Sequence, residues 1–310
     1  MLTVYATENG RLCEKTEIMA DTWVQLYAPT DEELAEVSKK LLIDADMLKA
    51  ALDEEERSRT ETEDGNMLVL VDTPMVTAEG GTFVYSTLPF GVIITKTNIV
   101  TVCLKDTALT RAFADGAVKD FSVKKRNKMT LQLLYRNATL FLFYLHQVDK
   151  ASNRIENDLY ISMKNKALIQ MLGLEKSLVY FSTSLKGNEV VLEKLLRLDF
   201  VRDYPEDTEL LEDVIIENKQ AIEMSNIYRD ILSSTTEAFG SLISNNLNDV
   251  MKLLAAITII LTVPTIISGI WGMNVGVPFQ NSPYGFVVVM GLIVVITVLS
   301  VILAVRKKWL

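Results

Sequence analysis

Two long apolar segments near the C-terminal end constrain this chain more than any other feature. Residues 253–271 and 286–305 contain no charged side chain. A helix that crosses the hydrocarbon core of a bilayer needs about 20 predominantly apolar residues, and each segment satisfies this length. The sequence therefore predicts a first transmembrane helix over 253–273, a short loop over 274–285 and a second transmembrane helix over 286–305.

The charged residues are concentrated in the part of the chain that precedes these segments. Every Asp and Glu lies at or before Asp249, and the last sixty residues contain four charged side chains, all basic. Subtracting these four from 31 basic residues leaves 27 against 40 acidic ones, so residues 1–250 carry a net charge of −13. An acidic region of this kind repels nucleic acid, and we predict no nucleic-acid partner.

The basic residues around the apolar segments predict their orientation in the bilayer. Lys252 precedes the first segment and three basic residues lie in the tail 306–310, whereas the connecting loop has no charge. Basic flanks stay on the cytoplasmic side, so both termini are expected in the cytosol and the loop outside a plasma membrane. Cys13 and Cys103, which lie far apart in the sequence, are expected to be reduced core residues of a cytosolic domain.

The first two hundred residues read as a folded cytosolic region of two parts. Four β-rich runs, 2–6, 23–28, 66–76 and 81–105, alternate with turn signals and one helical stretch, which predicts an α/β domain with helices packed on a sheet over residues 1–106. The next part, residues 107–205, has helical spacing.

Within this helical part, one long helix of a hairpin covers residues 129–172 and is expected to end at Gly173, which resembles a C-cap.

A single long helix is predicted after Pro205. The next proline is Pro264, and Gly240 is the one other potential breaker between them. A helix from 206 to 272 would be roughly 100 Å long at 1.5 Å per residue. Because the bilayer accommodates only the last part of it, residues 206–252 are predicted to form a stalk in the cytosol.

A stripe of polar and small side chains follows one face of the stalk and the first transmembrane segment. Its members are three or four positions apart and therefore share one helix face. Several copies packed around an axis would line a tube with hydroxyls and carboxamides, and bulky side chains near the cytosolic end would form a constriction that gates by dewetting. The predicted pore-lining residues are Asn248, Met251, Leu254, Ala255, Thr258, Thr262, Thr265 and Gly269.

The same stripe has an alternative interpretation that involves no pore. Threonines in membrane helices often donate to their own backbone carbonyls, and small residues often mark close packing of two helices.

The first transmembrane segment is followed by Gly272-Met273-Asn274. Here the sequence resembles the CorA family of magnesium channels, whose signature is Gly-Met-Asn directly after the first of two C-terminal membrane helices. The resemblance implies a channel rather than an enzyme, built as a funnel-shaped homo-oligomer, a pentamer, with the three residues at the outer mouth as the selectivity site. Magnesium loses its waters reluctantly, so a ring of Asn274 carboxamides could bond to the water shell of a hydrated ion.

The resemblance also implies a regulatory magnesium site in the cytosol. Asp213 aligns by its spacing to Asn248 with an acidic residue that helps to bind magnesium between subunits in family members, and Glu79 is the candidate partner. Mg²⁺ would then be both the transported ion and a regulator of gating. The alternative for Asp213 is a solvated carboxylate on a helix surface.

The sequence leaves the ion and the transport activity open. The predicted outer loop contains no acidic residue, unlike the cation-concentrating loops common in the family. A related zinc-transporting branch shares the two-helix design, so a zinc, cobalt or nickel transporter is one alternative. A membrane-anchored sensor that transports nothing is the other.

Overall fold

The protein folds into two compact units, Met1–Thr236 and Glu237–Leu310. The computed structural model describes residues 1–8, 11–79, 82–116, 118, 121–162, 165–201, 204–279 and 282–309.

The first unit is built on a seven-stranded sheet with the strand order β2-β1-β3-β7-β6-β5-β4. The pair β3 and β7 is parallel, and the other pairs are antiparallel. The strands are β1 Leu2–Glu8, β2 Arg11–Lys15, β3 Thr22–Tyr27, β4 Arg59–Glu63, β5 Asn66–Glu79, β6 Thr82–Ile94 and β7 Ile99–Cys103.

The helices account for the rest of the described secondary structure, apart from short 3₁₀ turns. They are α1 Asp31–Leu41, α2 Ala45–Lys49, α3 Ala108–Ala114, α4 Arg126–Ser162, α5 Asn165–Arg197, α6 Pro205–Trp271 and α7 Gly285–Arg306. The predicted architecture, an α/β region followed by one long helix and a C-terminal apolar helix, is confirmed.

Both faces of the sheet are apolar, and helices cover both. Successive strand residues point to opposite faces, so Leu68 and Leu70 pack with α1 and α2 while Val69 and Val71 pack with α4 and α5. The hydrophobic core on the α4 and α5 side of the sheet also contains Leu211 and Val214 of α6. The beginning of the long helix is therefore held in the hydrophobic core of the first unit.

Two strands are absent from the prediction. Strands β2 and β4 have the sequences RLCEK and RTETE, and they form the two edges of the sheet. Edge strands are short and charged because they face solvent. They therefore lack the apolar signal by which the central strands can be predicted.

The prediction that Gly173 ends a helix is wrong. Helix α4 ends at Ser162 and α5 begins at Asn165, so Gly173 lies inside α5, where its carbonyl accepts a hydrogen bond of 3.0 Å from Ser177 Oγ. A glycine in a helix interior costs only about 1 kcal/mol relative to alanine. The buried side chains of Met171 and Leu174 on either side anchor the helix and outweigh this cost.

The β5–β6 hairpin extends beyond its neighbours, and side-chain amides complete one of its edges. Strand β4 pairs with β5 only as far as Leu70, which leaves the peptide groups of Asp72 without a partner strand. Asn188 of α5 accepts a hydrogen bond from Asp72 N at 2.8 Å and donates to Asp72 O at 2.9 Å. Asn137 of α4 also donates to Asp72 O, at 2.7 Å. These hydrogen bonds hold α4 and α5 against the hairpin.

Replacement of Asn188 tests this edge. We expect Asn188→Ala to lower the free energy of unfolding of the first unit by about 1–3 kcal/mol, because the part-buried Asp72 N loses its partner while Asp72 O keeps only the bond from Asn137. The measurement is urea unfolding of the detergent-solubilised chain, followed by the fluorescence of the buried Trp23 in a Trp271→Phe, Trp309→Phe background. Asn153→Ala, an exposed position on α4, is the control, and equal unfolding midpoints for both variants would contradict the proposed role of Asn188.

Candidate functional site

The predicted pore stripe lies on one exposed face of α6 within the second unit. All eight of its residues are exposed in the single chain, including the large apolar Met251 and Leu254. Exposed leucine and methionine side chains would be costly if they remained in water. Asn248, Met251 and Ala255 line one groove together with Asp249 and Trp309.

The opposite face of the same helix segment is the buried one. Ala256 is buried, and Ile260, Val263 and Ile267 are half-buried. Ala256 and Ile260 share a cavity with Ser300 and other residues of α7. At 100° per residue the mean directions of the stripe and of this buried face differ by about 150°. The packing of α7 therefore leaves the polar stripe free.

Helix α7 presents a matching stripe of its own. Gly285, Val289 and Ala304 are buried, and Thr297 and Ser300 are half-buried. Their spacing places them on one face. The two polar uncharged positions of this span thus lie on the packed side of α7, and its remaining surface is apolar as far as Arg306 at its end.

The threonine hydroxyls of the stripe donate to the backbone of their own helix. Thr258, Thr262 and Thr265 each donate to the carbonyl four residues earlier, at 2.8, 2.6 and 2.8 Å. The local bonding expected from the alternative interpretation is therefore present. It leaves the acceptor lone pairs of each hydroxyl oxygen unused, and these could accept hydrogen bonds from the water of a hydrated ion.

Helix α6 ends immediately before the Gly-Met-Asn sequence. Gly272 N donates to Ser268 O at 2.9 Å, and Met273 N donates to Ile270 O at 3.3 Å. A Cβ at Gly272 would make a tight contact of 3.3 Å with Ser268 O, and the backbone of Gly272 does not adopt the left-handed conformation. Asn274 is exposed, and the described part of the chain offers no hydrogen-bond partner to its carboxamide.

The structure describes only one of the two predicted regulatory side chains. Asp213 is exposed on α6, and Glu79 is the last residue of β5, with a side chain that lies outside the described residues. Among the described residues, no group of three or more His, Cys, Asp and Glu side chains could hold a metal ion.

The surroundings of Asp213 show an acidic surface that the prediction missed. Glu209, Asp213 and Glu217 follow one another at four-residue spacing, with Glu212 beside them. Like charges at this spacing repel and destabilise a helix. In the described residues none of these four carboxylates forms an ion pair. Their spacing on a predicted helix is the signal that could have identified them.

The end of the second unit that contains Lys252 and Lys307 is basic. Lys252 pairs with Asp249 at 2.9 Å on the exposed helix surface. Lys307 Nζ lies 5.4 Å from the ring centre of Trp309, a cation–π distance. Two helices of the chain, α6 and α7, are long and apolar enough to cross a membrane. The basic and aromatic residues at their ends are typical of membrane–water interfaces.

Comparison with known proteins places these features in a family. The family described as CorA-like Mg²⁺ transporter protein matches residues 21–307. The cobalt/magnesium transport protein CorA of Methanocaldococcus jannaschii is 32% identical over 303 residues, which cover 93% of this chain and 91% of that protein.

Solved structures show the same similarity. The complete structure of the CorA magnesium transporter from Methanocaldococcus jannaschii superposes with a TM-score of 0.85 at 28% identity, over 100% of this chain and 99% of that chain. The ZntB cytoplasmic domain from Vibrio parahaemolyticus has a TM-score of 0.58 at 10% identity, over 79% of this chain and 97% of that chain. The second match shows a common fold alone.

Proposed function

The chain belongs to the CorA family of divalent-cation transporters, which are not enzymes, and we propose that it conducts hydrated magnesium through a pore lined by the polar stripe of α6. The observation that supports this proposal is the direction of the stripe. It is exposed, it faces away from α7, and the Gly-Met-Asn sequence follows it directly. A helix that served only as an anchor would need neither a polar face nor a free carboxamide at its outer end.

One chain supplies only one wall of such a pore. We therefore propose a homo-oligomer, a pentamer as the family resemblance implies, in which the stripes of all copies face a common axis. Burial of the exposed Met251 and Leu254 side chains around that axis would remove apolar surface from water, which stabilises the assembly. The same side chains would form the narrow, dewetting part of the pore.

Magnesium is the proposed ion because the chemistry of the pathway suits a cation that keeps its water. Residues 253–305 contain no Cys or His, the ligands preferred by zinc, and the candidate pathway offers hydroxyl, carboxamide and carbonyl oxygens. Mg²⁺ accepts oxygen ligands and retains several waters. Cobalt is the second candidate ion, because a relative is a cobalt/magnesium transport protein.

We further propose that the chain lies in the plasma membrane with both termini in the cytosol. The basic residues that flank the two spans support this orientation, because such residues remain on the cytoplasmic side. The loop that carries Asn274 then faces the outside, where it meets incoming ions.

Cytosolic magnesium is the proposed regulator of the pore. The carboxylates around Asp213 repel one another, and a cation between two copies would neutralise them. Magnesium bound there would favour the closed arrangement, and its loss would favour the open one. Glu79 is the proposed second ligand.

Substitution of Asn274 tests the transport proposal. Asn274→Ala should lower Mg²⁺ flux into proteoliposomes on the order of ten-fold or more, because the carboxamides that hold the hydrated ion are lost. Val275→Ala, a change at the next exposed residue of the loop, is the control and should leave the flux unchanged. Zinc flux that exceeds magnesium flux and responds to a pH gradient would overturn the magnesium assignment. Absence of flux in the wild type would favour an anchored sensor.

Cysteine accessibility tests the pore face and the orientation together. A charged, impermeant thiol reagent should modify Thr262→Cys several-fold faster than Val263→Cys, because only the first lies on the proposed aqueous side. Added to whole cells, it should also modify Ser282→Cys. Cys13 must be replaced, whereas Cys103 can remain because burial raises the pKa of its thiol to about 11 and thiolates are the reactive form. Equal rates at positions 262 and 263 would argue against the pore face, and lack of labelling at 282 against the orientation.

Limited proteolysis tests the regulatory proposal. Magnesium should protect the wild-type stalk from cleavage, and Asp213→Ala should need a several-fold higher magnesium concentration for half-maximal protection, because one ligand is lost. Glu223→Ala removes the same charge from an exposed position ten residues further along α6 and should behave as the wild type. Identical titration curves for Asp213→Ala and the wild type would remove Asp213 from the regulatory site.

A further inference from the structure

A slot of about 240 Å³ lies between α6 and α7 near the inner end of the two spans. Its walls are formed by Ala256, Ile259 and Ile260 of α6 and by Leu303 and Ala304 of α7. The two alanines keep the slot open because their side chains end at Cβ. The walls are almost wholly apolar, and the slot lies on the side of α6 that faces away from the polar stripe.

The mouth of the slot is cationic and aromatic. Lys307 and Trp309 line the slot at the end of α7, and the ammonium group of Lys307 lies over the indole ring. The chain turns back here, since Trp309 N donates to Ala304 O at 2.9 Å and Lys308 adopts the left-handed conformation with a φ of 55°. This turn closes the helix and holds the indole at the mouth.

The slot and its mouth have the two chemical properties of a phospholipid molecule. From Lys307 to Ser300, which also lines the slot, the helix rises roughly 10 Å. An acyl chain can occupy apolar walls over this depth. The ammonium group and the indole lie where a headgroup phosphate would be, at the level of the membrane–water interface.

Charge complementarity decides which lipid fits. No acidic residue follows Asp249 in the sequence, and Asp249 is already paired with Lys252. Basic residues beside a membrane span attract anionic headgroups with about 1 kcal/mol each, or roughly five-fold in affinity. A zwitterionic headgroup gains much less binding free energy from these residues. Free phosphate has no acyl chain that could occupy the apolar slot.

We propose that this slot is a binding site for one anionic phospholipid of the inner leaflet, with an acyl chain between α6 and α7 and the headgroup phosphate at Lys307. The lipid would fill the space that helix packing leaves open at Ala256 and Ala304. The slot itself lies on the side of α6 that faces away from the polar stripe, and Trp309 at its mouth also lines the groove beside Asn248 and Met251. The assignment to the inner leaflet rests on the proposed orientation, whereas the preference for an anionic lipid does not.

Quenching of Trp309 fluorescence by brominated lipids measures occupancy of the slot. Trp271→Phe removes the other indole near the membrane, and Trp23 stays buried in the sheet core. The protein is reconstituted into phosphatidylcholine vesicles that contain increasing fractions of phosphatidylglycerol, with one of the two lipids brominated near the headgroup end of its acyl chain. We expect phosphatidylglycerol to be preferred at Trp309 by roughly five-fold or more over phosphatidylcholine.

Matched variants distinguish a specific lipid site in the slot from a general attraction of anionic lipids to a basic surface. Lys307→Gln should lower the preference by about five-fold, whereas Lys308→Gln removes the same charge outside the slot and should change it by less than about two-fold. Ala304→Leu should lower quenching by filling the slot while every charge remains. If Ala304→Leu does not give the wild-type oligomer size, Ser300→Leu is used in its place.

Three results would overturn the proposal. They are equal quenching by the two lipids in the wild type, equal losses in Lys307→Gln and Lys308→Gln, and undiminished quenching in the slot-filling variant. Absence of quenching by either lipid would also overturn it, because the slot would then be covered by a second copy of the chain. Inorganic phosphate added to the vesicles should not change the quenching, and competition by it would indicate a simple anion site.

Discussion

The hydrocarbon core of the bilayer sets the constraint on which the rest of this structure depends. Every backbone and side-chain polar group in that core has to find a partner within the protein. The two spans meet this requirement as helices, and the hydroxyls of α6 and α7 donate to carbonyls of their own helix. Because these hydroxyls are satisfied locally, α6 can carry polar residues in its membrane segment at little cost. This makes a polar stripe in the membrane physically possible.

The packing of α7 then determines what that stripe can do. Helix α7 lies on the side of α6 that carries Ala256, and Ala256 and Ala304 line the slot between the two helices. Contact on this side leaves the opposite side of α6 exposed. An exposed face of hydroxyls, a carboxamide and large apolar side chains is suited to neighbours that are copies of itself. The proposed pore is the arrangement in which that face serves both packing and ion passage.

The two ends of the chain differ in the sign of their charge. Residues 1–250 are strongly acidic, and the rim of the membrane part at Lys252 and residues 306–308 is basic. The proposed binding place for divalent cations is the group of carboxylates along α6 near Asp213, since a bound cation removes the repulsion between these carboxylates. The basic rim suits anionic lipid headgroups instead. Cations and lipids would therefore act on different parts of one helix, and the base of that helix is held in the core of the first unit through Leu211 and Val214.

The sequence by itself determined the features that follow from composition over many residues. Two uncharged segments of membrane length, one uninterrupted helix before them, the three- and four-residue spacing of the stripe and the Gly-Met-Asn signature are all local patterns. Only the tertiary structure decided which face of α6 is covered by α7, because that depends on contacts between segments thirty or more residues apart. It also decided that α5 continues through Gly173, since buried neighbours outweigh a weak local preference. The edge strands, the Asn188 amide on Asp72 and the slot at Ala304 come from long-range packing, which no local pattern of residues records.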